Sequence, residues 1–278
     1  MVLGKIKAII FDLDGTLYED KHHLKHYAEI IKNILSPKLK ENFMIECNKA
    51  ILGKHILRIG KIYDAPKDLI LIGNDKKVVH AYKWDGTCLE KNLMEYMYPG
   101  EIEIDIMNII SVEDPLWLIG CIGMHYGLDK PTSHSAYLQE RNYIMSSEFI
   151  MYPVKELRET LEDLKTKVKL ILLTNSHELS SETIIKKLGI HHVFTEKIFE
   201  GDKPTKTIEI LNQIRNKFNL SFSEILSVGD NYMNEILPAK RLGCKTIYID
   251  TYNIRSNEDA DYVVKNVSEM INIIKDIK

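Results

Sequence analysis

The segment IKAIIFDLDGTLY, residues 6–18, is the most informative part of this chain. Its apolar half, residues 6–11, predicts a buried β-strand that ends at two carboxylates, Asp12 and Asp14. Residues i and i+2 of a strand point the same way, so both carboxylates can face one pocket, and Gly15 lets the backbone turn sharply behind them. Asp-Gly also forms ordinary turns, but buried strand ends rarely carry two carboxylates without a cation. We therefore predict a catalytic site at this strand end.

Apolar runs separated by helical patterns recur after residue 151 and predict an α/β fold. Predicted strands cover 167–173, 225–228 and 245–249, and predicted helices cover 154–165, 178–188, 204–218, 234–242 and 266–276. The last helix opens with Asn266 and Glu269, which is similar to a capping box. With residues 6–11, these elements predict a Rossmann-like parallel sheet that has helices on both faces and binds ligands at its carboxyl edge.

Residues 18–151 have a different pattern and predict an inserted, mainly helical domain. Helical periodicity covers 24–35 and 40–60, and the runs LILIG and KVVHAY flank the turn residues Asn74 and Asp75 as in a β-hairpin. The predicted domains are therefore a core of residues 1–17 and 152–278, and an insertion of residues 18–151.

Polar residues follow two further predicted strands. After the second strand, Thr174 offers a hydroxyl and Asn175 a backbone N–H, either of which can hold a phosphate oxygen, although a Thr-Asn-Ser turn also serves as a plain helix cap. After the third strand, Asp230 can bind a hard cation, and Glu235 can hold its waters or orient a lysine. The alternative for this pair is an Asp-Asn turn followed by an acid that favours the helix dipole.

Lys203 precedes Pro204, and a proline at the first helical position needs no function beyond starting a helix. A lone lysine before a helix is more often solvated than functional. Lys203 becomes a candidate because a phosphorylated aspartate needs a nearby cation to offset its charge.

In their order and their placement at strand ends, these four elements resemble the haloacid dehalogenase superfamily, over residues 5–17 and about 152–278. Phosphatases of that family carry Asp-x-Asp-x-Thr, a Thr or Ser after the second strand, a Lys, and Gly-Asp followed by another acid. An insertion after the first motif matches members that have a cap domain there. This insertion departs from a purely helical cap in its length and its hairpin, and Glu235 stands where many relatives have Asp.

The resemblance implies Mg²⁺-dependent hydrolysis of a phosphate monoester through an aspartyl-phosphate intermediate. The roles that it implies are Asp12 as nucleophile, Asp14 as acid and base, Lys203 as counter-cation, Thr174 and Asn175 as phosphate ligands, Asp12, Asp14 and Asp230 as metal ligands, and Glu235 and Thr16 as supporting residues. A dehalogenase would lack the second aspartate. A phosphomutase is one alternative, and a non-catalytic binding module, which would have lost one or more of these core residues, is another.

The partner is predicted as a small phosphorylated metabolite whose identity is selected by the inserted domain. Each polar candidate in that region is individually more often structural or solvated. The candidates are His125, His134, Tyr137, Arg141 and Tyr143.

The composition is that of a soluble globular protein, with 278 residues, 45% hydrophobic and 28% charged, and a net charge of −3. No basic patch for nucleic acid is visible. The longest uncharged run, 115–128, is too short to span a bilayer and predicts a buried helix and its turn. Lys5 and Lys7 interrupt the N-terminal apolar stretch, so we predict a cytoplasmic protein without membrane or nucleic-acid partners. The scattered cysteines indicate reduced thiols, mostly buried.

Overall fold

A computed structural model describes residues 5–74, 77–105, 108–254 and 259–277. The strands are β1 (Ala8–Phe11), β2 (Lys61–Asp64), β3 (Leu69–Asn74), β4 (Lys77–Tyr82), β5 (Ile109–Val112), β6 (Lys169–Leu173), β7 (Glu196–Ile198), β8 (Ile225–Gly229), β9 (Lys245–Ile249) and β10 (Tyr262–Val264). The helices are α1 (His22–Ile34), α2 (Lys40–Ile51), α3 (Lys91–Met97), α4 (Pro115–His125), α5 (Lys130–Met145), α6 (Leu157–Leu164), α7 (Glu178–Lys187), α8 (Thr207–Lys217), α9 (Leu237–Leu242) and α10 (Val267–Ile274). A 3₁₀ turn (Phe222–Glu224) and a π-helical turn (Tyr232–Ile236) flank β8.

The chain forms two compact units. We call residues 1–21 with 143–278 the core unit, and residues 22–142 the inserted unit.

Within the described residues, the core unit contains a six-stranded parallel sheet in the order β10-β9-β8-β1-β6-β7. β1 pairs with β6 on one side and with β8 on the other. The strand order reverses at β1, and open α/β sheets bind ligands at such a point, beyond the carboxyl ends of the strands. The predicted α/β fold with a parallel sheet is confirmed.

Alternate residues of β1 explain why helices cover both faces of this sheet. Ile9 and Phe11 enter one apolar cluster together with residues of α6, α7 and α10. Ala8 and Ile10 enter a second cluster together with residues of α8 and α9. All of β1 is buried, as expected of a central parallel strand covered on both faces.

In the described part of the inserted unit, four antiparallel strands form a sheet in the order β4-β3-β2-β5. Its apolar side chains pack with Met94 and Tyr98 from the α3 region, while α1, α2 and α4 pack on one another. The predicted hairpin is present as β3 and β4, and Asp75 of its predicted turn lies outside the described residues. The insertion is thus mainly helical, but β2 and β5 were not predicted.

The predicted helix at 40–60 is wrong in its second half. α2 ends at Ile51, because Gly53 takes a left-handed φ of +69°, which terminates an α-helix. The helix predicted from Pro204 begins at Thr207 instead, so Pro204 does not occupy its first position.

Asn266 caps α10 as predicted, since its side chain accepts the Glu269 N–H at 2.9 Å. The Glu269 carboxylate, however, accepts from the Lys265 N–H at 2.9 Å, one residue before the position that a full capping box requires.

The predicted buried helix in the uncharged run is α4, whose central residues Leu118 to Gly123 are buried. None of the helices in the described ranges is long and apolar enough to cross a membrane. All four cysteines are free, and Cys88 is the exposed one.

Candidate active site

Lys203 lies buried beside the carboxyl ends of β1 and β6. Its Nζ donates to Asp12 Oδ1 at 2.7 Å, to Glu235 Oε1 at 2.6 Å and to the Leu173 carbonyl oxygen at 3.1 Å. These acceptors match the three N–H groups of an ammonium ion. Since Lys203 is 3% exposed, Asp12 8% and Glu235 5%, the arrangement is a buried cation shared by two carboxylates.

Burial and charge act on these groups in opposite directions. Burial raises the pKa of Asp12 and of Glu235 because it disfavours their charged forms, and Lys203 opposes that shift in both. Burial would lower the pKa of Lys203, but Asp12 and Glu235 outweigh it, so this pKa is raised. Lys203 is therefore a cation at neutral pH, placed to support negative charge on Asp12.

The backbone of Lys203 is fixed by Asn175. The Asn175 side-chain Nδ2 donates to the Lys203 carbonyl oxygen at 2.9 Å, and Oδ1 of the same side chain accepts the Lys203 backbone N–H at 2.7 Å. The Asn175 side chain therefore orients the lysine. The predicted phosphate contact through the Asn175 backbone N–H stays a prediction.

Asp14 follows Asp12 at the end of β1, and both of its carboxylate oxygens accept hydrogen bonds from hydroxyl groups. The Tyr18 hydroxyl donates to Oδ1, and the Ser176 hydroxyl donates to Oδ2 at 2.9 Å. The Ser176 N–H in turn donates to Thr174 Oγ1 at 3.1 Å. The loop after β6 thus contacts Asp14 through Ser176, and it places the buried Thr174 hydroxyl next to that contact.

Two glycines make room for acidic side chains. A Cβ on Gly15, whose φ is +72°, would lie 1.9 Å from Asp230 Oδ2. A Cβ on Gly229 would lie 2.5 Å from Glu235 Cγ. Asp230 therefore lies against the turn after β1, and Glu235 crosses the end of β8 to reach Lys203.

The structure thus brings Asp12, Lys203 and Glu235 into direct contact, and it places Asp230 against the turn at Gly15. Thr16 is fully buried in the same turn, and its hydroxyl has no hydrogen-bond partner among the described residues. No group of three His, Cys, Asp or Glu side chains suited to a metal occurs in the described parts of the chain.

The polar candidates from the insertion have different surroundings. The His125 ring stacks on Trp84 with 3.7 Å between ring centroids, and its Nδ1 lies 2.9 Å from Asp68 Oδ1. Its side chain therefore has structural contacts within the inserted unit. Arg141 is buried, with its guanidinium 6.0 Å from the Tyr137 ring. Two candidates remain: His134 is exposed, and Tyr143 belongs to the core unit, where its ring packs on Phe149.

Sequence reasoning missed Tyr18 and Ser176. Both belong to segments that it singled out, FDLDGTLY and LLTNS, and both are buried beside Asp14. Their positions directly after the Asp12–Asp14 and Thr174–Asn175 motifs could have marked both residues as candidates. That both contact Asp14, however, depends on the three-dimensional path of the turn after β1.

Part of the chain is similar in sequence to a known protein family. A family model of haloacid dehalogenase-like hydrolases matches residues 122–249, which include Thr174, Lys203, Asp230 and Glu235. Over this range, which is less than half of the chain, the sequence is similar to haloacid dehalogenase-like hydrolases. The matched range includes the second, third and fourth of the sequence motifs that carry the resemblance, at Thr174, Lys203 and Asp230. The first motif, at Asp12, precedes the matched range.

Several solved structures share the fold of this chain. YfnB of Bacillus subtilis, bound to magnesium, has a TM-score of 0.55 at 11% identity, covering 97% of this chain and 99% of that one. A predicted phosphoglycolate phosphatase of Haemophilus somnus has a TM-score of 0.54 at 19% identity, covering 96% and 97%. Dehalogenases share the fold too.

A curated relative is similar in sequence. The glyceraldehyde 3-phosphate phosphatase of Methanocaldococcus jannaschii is 28% identical over 137 residues, which are 46% of this chain and 59% of the relative. The similarity therefore spans less than two thirds of that relative.

Proposed function

We propose that this haloacid dehalogenase-like hydrolase is a phosphatase of small phosphate monoesters, and that Asp12 is its nucleophile. The observation that carries the proposal is the buried contact of Asp12 with Lys203, followed two residues later by a second carboxylate, Asp14, held at both oxygens. Family resemblance implies that a dehalogenase lacks this second acid. The similarity to a curated phosphatase supports the same choice.

The proposal includes Mg²⁺ as cofactor, and the donor set suits it. Mg²⁺ prefers oxygen ligands, is held by one or two carboxylates, and keeps several of its waters. Asp12, the Asp14 backbone carbonyl and Asp230 would hold it, because the absence of a side chain at Gly15 lets the Asp230 carboxylate approach the turn that directly follows Asp14. When bound, the ion would offset the negative charge of the phosphoryl oxygens.

The reaction then follows from the chain's own residues. An Asp12 oxygen attacks phosphorus, and the bond from phosphorus to the ester oxygen breaks while Asp14 supplies a proton to the departing alcohol. Asp14, now a carboxylate, takes a proton from a water whose oxygen attacks the aspartyl phosphate, and Asp12 is regenerated. The Thr174 hydroxyl would donate to a phosphoryl oxygen, and Lys203 would stabilise charge on Asp12 throughout.

The test is a panel of phosphorylated metabolites and p-nitrophenyl phosphate, incubated with the protein and Mg²⁺ and scored for inorganic phosphate. We expect release that EDTA abolishes and added Mg²⁺ restores. Ca²⁺ should inhibit, because its larger and looser coordination shell misplaces the nucleophile.

Asp12→Asn is the matched control, since it keeps the shape of the side chain and removes the nucleophile. Undiminished phosphate release by D12N, or release that continues in excess EDTA, would contradict the proposal. A product in which phosphate has moved to another hydroxyl of the same sugar, without free phosphate, would indicate the phosphomutase alternative.

A further inference from the structure

The two hydroxyl groups that hold Asp14 come from different segments of the core unit. Tyr18 lies four residues after Asp14 on the outgoing chain, and an isolated β-bridge joins the two residues. Ser176 lies in the loop after β6, 162 positions away in sequence from Asp14. Two independent parts of the fold therefore converge on one carboxylate.

Both hydroxyl donors are themselves fixed. Tyr18 is 2% exposed, and its ring belongs to the main apolar cluster of the core unit. Ser176 is 6% exposed, its N–H donates to Thr174 Oγ1, and its carbonyl oxygen accepts the Glu200 N–H at 3.3 Å. Neither hydroxyl can move away from Asp14 without disturbing packing or the loop after β6.

Resting on the phosphatase function proposed above, we propose that Tyr18 and Ser176 are positioning residues that hold the Asp14 carboxyl group in the orientation required for its proton transfers. Each donor fixes one oxygen, so together they set both the direction and the rotation of the carboxyl plane. A carboxylate oxygen accepts about two hydrogen bonds, so a hydroxyl donor at each oxygen is compatible with proton transfer at that oxygen. The carboxyl group can therefore stay held while one oxygen gives a proton to the leaving group or takes one from water.

The proposal predicts a dependence on the leaving group. An alkoxide is a poor leaving group and needs the Asp14 proton as its bond to phosphorus breaks, whereas p-nitrophenolate leaves readily without it. The ratio kcat/KM reports steps only up to departure of the leaving group. Loss of either hydroxyl should therefore lower kcat/KM for alkyl phosphates much more than for p-nitrophenyl phosphate.

The experiment uses Tyr18→Phe, Ser176→Ala and the double variant in the full chain, with glycerol phosphate-type alkyl esters and p-nitrophenyl phosphate as probes. Because a misplaced catalytic group costs about 10- to 100-fold, we expect losses of that size on the alkyl esters and less than about threefold on the aryl ester. Rapid mixing with p-nitrophenyl phosphate should also give a burst of p-nitrophenol, because the water step still depends on Asp14.

Two controls separate positioning from a general loss of structure. Ser180→Ala removes another buried serine hydroxyl near the start of α7, one that donates to the His177 carbonyl oxygen at 2.9 Å, and it should leave both kcat/KM values unchanged. Ser176→Thr keeps a hydroxyl and should recover most of the alkyl-ester activity. If Ser176→Ala does not fold, Tyr18→Phe still tests the proposal, since it keeps the buried ring.

Equal losses on alkyl and aryl esters, or no loss on either, would overturn the positioning role. That outcome is distinct from failure of the proposed function, which Asp12→Asn reports. An inactive D12N variant with no leaving-group dependence in Y18F and S176A would leave the phosphatase standing and remove this inference.

Discussion

Lys203 is the residue at which three separate segments of the core unit meet. Its side chain contacts Asp12 after β1, the Leu173 carbonyl oxygen at the end of β6 and Glu235 in the π-helical turn. Taking one partner out of a buried ion pair leaves an uncompensated buried charge, and this usually destabilises a protein more than the pair had stabilised it. The lysine is therefore expected to matter for stability as well as for reaction.

We expect Lys203→Met to lower the free energy of unfolding by about 3–5 kcal/mol, because two buried carboxylates lose their cation. Phosphate release should fall on every substrate alike, since all of them present the same phosphoryl group. Urea denaturation and the phosphate assay measure these two effects.

Glu235→Gln is the control for this change, because it leaves Asp12 paired with Lys203 and removes only the charge and one of the two hydrogen bonds, from Lys203 and from the Asn231 N–H, that Glu235 accepts. It should alter the free energy of unfolding far less than Lys203→Met. A K203M variant as stable as the unmodified chain would contradict the shared-cation arrangement.

Gly15 and Gly53 form a matched pair for a second prediction. Both have a left-handed φ, +72° and +69°, but a Cβ on Gly15 would collide with Asp230 whereas nothing lies within 4 Å of a Cβ on Gly53. Alanine at either position should lower the free energy of unfolding by about 1–2 kcal/mol, because a residue with a Cβ disfavours a left-handed backbone conformation. Only Gly15→Ala should also displace Asp230 and abolish Mg²⁺-dependent phosphate release, and activity retained in G15A would count against Asp230 as a metal ligand.

The residues next to the strand ends could be found from sequence because a carboxylate or lysine after an apolar strand is conspicuous. The residues that orient them could not be found from sequence. The role of the Asn175 side chain depends on the Lys203 backbone 28 residues later, and that of Ser176 on Asp14 162 residues earlier. No local pattern encodes such distant pairings, so hydroxyl and amide side chains in these loops were indistinguishable from ordinary turn residues.

Among the secondary-structure elements, β9 and β10 are linked through Asp261. Its carboxylate accepts from Lys245 Nζ at 2.8 Å and from the Thr246 N–H at 3.0 Å, while its own N–H donates to Thr246 Oγ1 at 3.0 Å. Burial would raise the pKa of Asp261, but the bonds from Lys245 and Thr246 outweigh it, so this pKa is lowered. The charged form of Asp261 thus stabilises the edge of the sheet.

The sign of the pH dependence follows from that lowered pKa. Stability from Asp261 is present above the ordinary aspartate pKa and is lost as the pH falls through the lower folded-state value. We expect Asp261→Asn to lower the free energy of unfolding by about 1–2 kcal/mol at pH 7, and by progressively less below pH 4. Urea denaturation at both pH values measures the difference, and an equal loss at both would show that the charge of Asp261 is unimportant.

The elements that sequence analysis missed share a physical property: they are short or dominated by distant partners. β7 and β10 have three residues each, which is too few for an alternating apolar pattern to be recognised, and two of the three residues of β7, Glu196 and Lys197, are charged. β2 and β5 pair with each other across 45 positions at the narrowest pair, Asp64 with Ile109, and 51 at the widest, Lys61 with Val112. The longer core strands and amphipathic helices were found because each carries its own apolar pattern.

For the whole molecule, the inserted unit is predicted to select the substrate. Remote binding energy helps only where the substrate has a remote group to be bound. Replacing the exposed His134 by Ala should therefore raise KM or lower kcat/KM for the natural metabolite and barely affect p-nitrophenyl phosphate. Arg141 is buried, so Arg141→Ala is expected to disturb packing within the inserted unit and is the less informative change.

Equal losses on both substrates would show that His134 supports the reaction site itself. No loss on either would assign this histidine to the solvated surface and leave the chemistry of the core residues untouched.

The central position of β1 has a consequence for the newly synthesised chain. Phe11 is synthesised before both of its neighbours in the sheet, Leu172 and Val228. At about 5–20 residues per second, translation takes roughly 10–40 s to reach the second of these neighbours. Until β6 has been made, this apolar strand has no partner strand, and until β8 has been made it has only one; an unpaired apolar strand is the kind of nascent segment that chaperones bind. The proposed phosphatase activity should therefore first emerge only after the segment through β8 has been translated.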